Sequence, residues 1–147
     1  MKTQKIYKLT KNIFLGIFAT SVILIFTSCG EKVKFLDSSV VPAAKGSVKV
    51  NQDNNKNYVI KVEIVDLAEV ERLQPEKQTY VIWMETDSGN TENLGQLKSS
   101  RSFFSKQKTA SLETVSSYKP LRIFVTAEHD INVHAPDRKV YLTTDKF

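Results

Sequence analysis

From residue 46 onward, apolar residues fall on every second position within short runs, and polar, turn-forming segments separate the runs. Val48 and Val50 alternate with Ser47 and Lys49, and Ile60, Val62 and Ile64 alternate with Lys61 and Glu63. A repeat of two is the side-chain period of a strand with one buried face, and the 3.6-residue period of a helix does not accommodate it. The Asn-rich stretch 51–57 between these runs suits a hairpin connection. TYVIWMET at 79–86 is a third strand, and Asp87-Ser88-Gly89-Asn90 supplies the turn into a fourth at 92–98. Residues 110–115, 121–128 and 139–144 complete the set, the second of these opening after Pro120, where proline costs no ladder bond. Seven strands in about 100 residues predict an all-β fold, an antiparallel β-sandwich of immunoglobulin-like size. Leu67, Val70 and Leu73 recur at helical spacing and predict a turn or two of helix lying as a flap over a sheet edge.

The start of the chain follows a different rule. Lys2, Lys5, Lys8 and Lys11 precede an apolar run at 13–26 that only Gly16, Thr20 and Ser21 interrupt. That run is shorter than the ~20 residues a spanning helix needs and fits the ~7–15 of an export signal core. After it comes Phe26-Thr27-Ser28-Cys29-Gly30, which resembles the lipobox of bacterial lipoproteins, with Phe26 where leucine is the commoner residue. The resemblance implies a signal peptide over 1–28, cleavage before Cys29, and acylation of that cysteine. Two or three acyl chains anchor a protein stably where one is marginal. The expected location is the cell envelope, with the outer membrane facing the periplasm as first choice and the cell surface as the alternative. Residues 29–45, mixed in Lys, Asp, Ser, Pro and Ala, read as the acylated cysteine and a short tether to a domain at 46–147, with Val33, Phe35 and Leu36 as side chains that could still dock on it.

Composition then narrows the chemistry. The formal charge is +5, but four of the 21 basic residues sit in the export signal, which leaves 17 against 16 acids. Such a balance, with lysines scattered along the sequence, does not make the basic stripe of a nucleic-acid binder. One cysteine among 147 residues excludes an internal disulfide framework and any multi-thiolate metal site.

The segment 46–147 resembles the extracytoplasmic C-terminal domain of anti-sigma-K factor-type regulators. Gly46, Val48 and Val50, the run Tyr80-Val81-Ile82-Trp83-Met84-Glu85, and Asn93-Leu94-Gly95-Gln96-Leu97 carry the likeness, together with 121–128 and 140–143. Trp83, Leu94 and Gly95 are its most specific positions, and the resemblance implies that they belong to the domain core. It also implies a β-sandwich outside the cytoplasmic membrane. Only twelve residues precede the apolar run, too few for a sigma-binding domain, so the likeness bears on fold and compartment and not on sigma inhibition by this chain alone.

Candidate sites are few. Trp83 sits in the most apolar strand, and full burial would contribute about 5 kcal/mol gross at ~25 cal/mol per Å². If Leu121, Ile123 and Val125 point inward with Trp83, then Tyr80, Ile82, Met84, Phe124 and Tyr141 share the outer face of one sheet as a partner-binding surface. A register shifted by one residue would exchange the two faces. His129 and His134, near Asp130 and Asp137, have neither the spacing of a helix face nor that of alternate strand positions, so a loop explains them better than a metal site. Glu85 and Asp87 have no His, Lys or nucleophile beside them in sequence, and the serines around Phe103-Phe104 lack a nucleophile elbow. No catalytic residue, metal or cofactor is expected. The reading is a non-catalytic protein-interaction or regulatory accessory module with an envelope protein partner, or alternatively a small-ligand or glycan-binding lipoprotein marked by a concave, aromatic-lined pocket.

Overall fold

The computed structural model describes residues 31–101 and 108–147. The export signal and Cys29 lie outside the described residues, as do Phe103 and Phe104. Among the described residues nine strands, all paired antiparallel, form two sheets. The five-stranded sheet runs β1 (Glu31–Lys34), β2 (Lys45–Gln52), β3 (Tyr58–Val65), β7 (Lys108–Ser116), β6 (Lys98–Arg101). The four-stranded sheet runs β5 (Thr91–Gln96), β4 (Thr79–Thr86), β8 (Pro120–Glu128), β9 (Val140–Thr143). The expected all-β antiparallel sandwich is what the chain forms.

β2 and β3 pair as their alternation dictates, with Val48 opposite Val62 and both fully buried. The hairpin between them is tied by Asp53, whose carboxylate accepts the N–H groups of Asn55 and Asn57 at 2.8 Å each. The expected helical flap is a single 3-10 turn at Val70–Arg72, with Val70 turned into the core.

The sequence-based boundary at residue 46 needs correction, because much of the expected tether is part of the sandwich. β1 pairs residue for residue with β2, placing Val33 opposite Val48. Phe35 is buried and donates its N–H to the Gly46 carbonyl at 3.1 Å, while the Leu36 N–H donates to Thr143 of β9 at 2.8 Å. Val41 and Ala44 are buried as well. The segment thus bridges the two sheets along one side. On the other side β5 passes into β6 through buried Leu97, whose N–H bonds the Tyr80 carbonyl at 3.0 Å. Both open sides are laced by strands that change sheets, which protects edges that would otherwise recruit other chains.

Gly46 is where this lacing is tightest. A Cβ there would stand 2.5 Å from the Glu63 carbonyl oxygen and 2.9 Å from Ile64 Cγ1. Gly46→Ala should therefore lower stability by about 1–3 kcal/mol through overpacking, read as a shift in the urea midpoint at constant slope.

Candidate functional site

β4 is apolar on both faces, and the structure reverses the assignment of those faces. Trp83 lies opposite Phe124, Ile82 opposite Val125, and Met84 opposite Ile123. Ile82, Met84, Ile123 and Val125 therefore point between the sheets with Tyr80 and Tyr141, all within the main core. Tyr80 and Tyr141 meet edge to face with centroids 5.6 Å apart. Val81, Trp83 and Phe124 form a second cluster on the other face, with Val133 packed on it. The expected binding face of Tyr80, Ile82, Met84, Phe124 and Tyr141 does not exist as a surface. Four of these side chains fill the inter-sheet core, and Phe124 stacks on Trp83 at 6.5 Å. Ile123 and Val125 point inward and Phe124 outward as expected, so the strand that is turned over is β4: pairing Trp83 with Phe124 in place of Ile123 and Val125 exchanges every side chain of β4.

The second cluster is capped by the loop between β8 and β9. Asn93 donates through its side-chain amide to the carbonyls of Ile131 and Val133, at 2.9 and 3.0 Å, and pins the loop over Trp83. A polar chain runs beneath it. The indole N–H of Trp83 donates to Thr126 Oγ1 at 2.8 Å, Thr126 donates to Glu128, and Glu128 accepts the Asp137 N–H at 2.8 Å. Buried Lys77 closes the chain on Asp137 Oδ2 at 2.6 Å.

The Lys77 hydrogen bond, helped by the Lys139 N–H, holds the Asp137 carboxyl below its ordinary range. A carboxylate whose folded pKa is depressed stabilises above its unfolded pKa, near 4, and that contribution is lost as pH falls through the folded value. Asp137→Asn should flatten the acid limb of a stability profile below about pH 4. It should also cost about 1–3 kcal/mol at neutral pH by leaving Lys77 buried against a weaker partner.

Leu94 is half-buried against the main core, and Gly95 adopts φ +122° beside the irregularity in β4–β5 pairing. Its place is explained by backbone conformation, since a Cβ there would meet only ordinary contacts with Leu112. His129 and His134 are exposed. Among the described residues no group of three or more His, Cys, Asp or Glu is placed to hold a metal. Glu85 is engaged by Arg122 at 2.6 Å.

A concavity of about 770 Å³ opens at the end of the sandwich where β3 finishes and β4 begins. Tyr80, Leu97, Val70 and Ala110 supply buried parts of its wall, and Gln78, Gln96 and Lys98 stand exposed at its rim. Lys108 and Glu69 face each other across it as an ion pair, and Arg72 adds a second bond to Glu69 at 2.9 Å. The hydroxyl of Tyr80 is buried and has no hydrogen-bond partner. Burial foremost, then the neighbouring Tyr141 and Glu71, raises its pKa well above the usual phenol range, so it remains a donor at physiological pH. A buried donor left unpaired costs about 1–3 kcal/mol.

No family model, curated protein or solved structure matches the chain.

Sequence reasoning missed this site because its walls come from four stretches far apart in the chain. Only Leu67, Val70 and Leu73 signalled that something covers this end.

Proposed function

We propose that the protein is a lipid-anchored, non-catalytic binding module of the bacterial cell envelope, and that it takes a small ligand or glycan fragment in the concavity beside Tyr80. The observation that carries this reading is a cavity of about 770 Å³ lined in part by Tyr80, whose buried hydroxyl has no partner among the described residues. A pocket of that size lies within the usual range for small-molecule sites, about 300–1,000 Å³. A wall that mixes apolar side chains with Thr79 and Thr109, and a rim carrying glutamines and both charge signs, suits an uncharged ligand with an apolar body and hydroxyl or carbonyl groups. The burial of Tyr80, Ile82, Met84, Phe124 and Tyr141 leaves these side chains out of reach of a docking protein, which favours the ligand reading. The lipobox at Thr27-Ser28-Cys29 and the likeness to extracytoplasmic regulator domains support placement in the envelope.

The cavity sits at the far end of the sandwich from β1's first residue. Glu31 pairs with Val50 near one end of β2, whereas Lys45 at the other end pairs with Val65, next to the cavity. The strand from Lys45 to Val50 separates the two points, about 17 Å at ~3.3 Å per residue. An anchor at Cys29 would leave the cavity free.

The test is a calorimetric screen of the full detergent-solubilised protein against glycans and peptidoglycan fragments. Tyr80→Phe and Ala68→Trp serve as variants, the second placing a ring at the exposed cavity mouth. The expected result is one ligand class whose affinity falls at least about tenfold in Ala68→Trp, with thermal stability retained. Tyr80→Phe should weaken the same ligand while leaving the unliganded domain as stable or up to about 1 kcal/mol more so, because an unsatisfied donor is removed. Absence of any binder, or binding indifferent to both variants, would overturn the proposal.

A further inference from the structure

The outer face of the five-stranded sheet carries three lysines in one cross-strand row. Lys32 lies opposite Lys49, and Lys49 opposite Lys61. All three point away from the core, since their strand neighbours Val48, Ile60 and Val62 are fully buried. Like charges directly opposite one another destabilise a sheet, so the folded domain gains nothing from the row. The acids on this face serve Lys61, with Glu63 at 3.5 Å and Glu113 at 3.9 Å. Among the described residues Lys32 and Lys49 have no such ion pair, and Lys34 adds a further exposed charge on β1. In the adjacent row Val115 lies opposite Val59 and is 57% exposed, the most exposed large apolar side chain described.

The position of the chain's one cysteine gives this face an occupant. Cys29 is two residues before Glu31, where β1 begins, a reach of at most about 7 Å of extended backbone. Because β1 is paired into the sheet and no slack tether intervenes, acyl chains on Cys29 would hold the sandwich at headgroup level.

We infer that the outer face of the five-stranded sheet docks on an anionic phospholipid surface, with Lys32 and Lys49 at the phosphates and Val115 in the interfacial layer. The inference rests on the reading that Cys29 is acylated. Each lysine near an anionic surface strengthens binding by about fivefold, with the attraction falling off within a Debye length.

The experiment uses the full-length, processed protein in vesicles of phosphatidylcholine alone or enriched in phosphatidylglycerol. Labelling by a membrane-impermeant maleimide is followed at Val115→Cys, and at Ile131→Cys on the loop over the opposite sheet. An acylated Cys29 has no free thiol, so the introduced cysteine is the one that reports. Val115→Cys should label at least about fivefold more slowly in the anionic vesicles, while Ile131→Cys labels equally in both. Adding Lys32→Glu and Lys49→Glu should abolish that protection without shifting the melting temperature. Equal Val115→Cys rates in the two vesicles, or protection that survives the charge reversals, would overturn the docking and leave the anchor standing. Labelling of the chain that carries no introduced cysteine would show a free Cys29 and overturn anchor and docking together.

Discussion

Replacing Trp83 by alanine should lower the unfolding free energy by about 3–5 kcal/mol, the range for truncating a fully buried aromatic residue. Trp83 has no solvent exposure, yet it does not lie in the main core. It fills a separate layer between the outer face of the four-stranded sheet and the β8–β9 loop, stacked on Phe124 and hydrogen-bonded through its indole to Thr126. Trp83→Phe keeps much of the apolar body but leaves Thr126 Oγ1 without the indole donor, at a cost of about 1–2 kcal/mol. The two variants separate packing from the polar chain when compared by urea unfolding. If Trp83 merely covered an exposed patch, Trp83→Ala would cost less than about 1 kcal/mol. The loop held by Asn93 should loosen with the ring, so amide exchange at Ile131 and Val133 should rise in Trp83→Ala more than in Trp83→Phe.

Trp83 also marks where the sequence ran out of information. In β3 the alternation of Ile60, Val62 and Ile64 with charged neighbours leaves one way to orient the strand, and the structure follows it. β4 offers no such contrast, because Tyr80, Val81, Ile82, Trp83 and Met84 are all buried. A strand buried on both faces has no period of two from which to read which side meets the other sheet. The orientation is set instead by cross-strand pairing with β8, where Trp83 meets Phe124. That register depends on how the 87–119 stretch, which includes β5, β6 and β7, returns the chain to β4. The cavity was illegible for a related reason. It exists because the start of β4, the start of β7, the β5–β6 crossing and the 67–71 segment converge at one end, and no local pattern encodes that convergence.

The second large effect is expected at Phe35, and it decides where the domain begins. A tether tolerates substitution, whereas Phe35 is buried among Val41, Ala44 and the rest of the main core. Phe35→Ala should cost about 3–5 kcal/mol by the transfer and cavity terms for a buried phenylalanine. The loss should be cooperative, since the N–H of Phe35 ties β1 to Gly46 while that of Leu36 ties it to β9. Sequence alone presents residues 31–34 as EKVK, too short and too charged to announce a strand. What makes them one is the neighbour: an eight-residue β2 offers a free edge whose N–H and C=O groups are paired by the incoming segment. Exposed Leu36 is the matched control, because Leu36→Ala should change stability by less than about 0.5 kcal/mol. A Phe35→Ala domain with an unshifted urea midpoint would return residues 31–45 to the role of a linker. It would also remove the short reach between Cys29 and the sheet on which membrane docking depends, so this stability measurement bears directly on how the module is held at the bilayer.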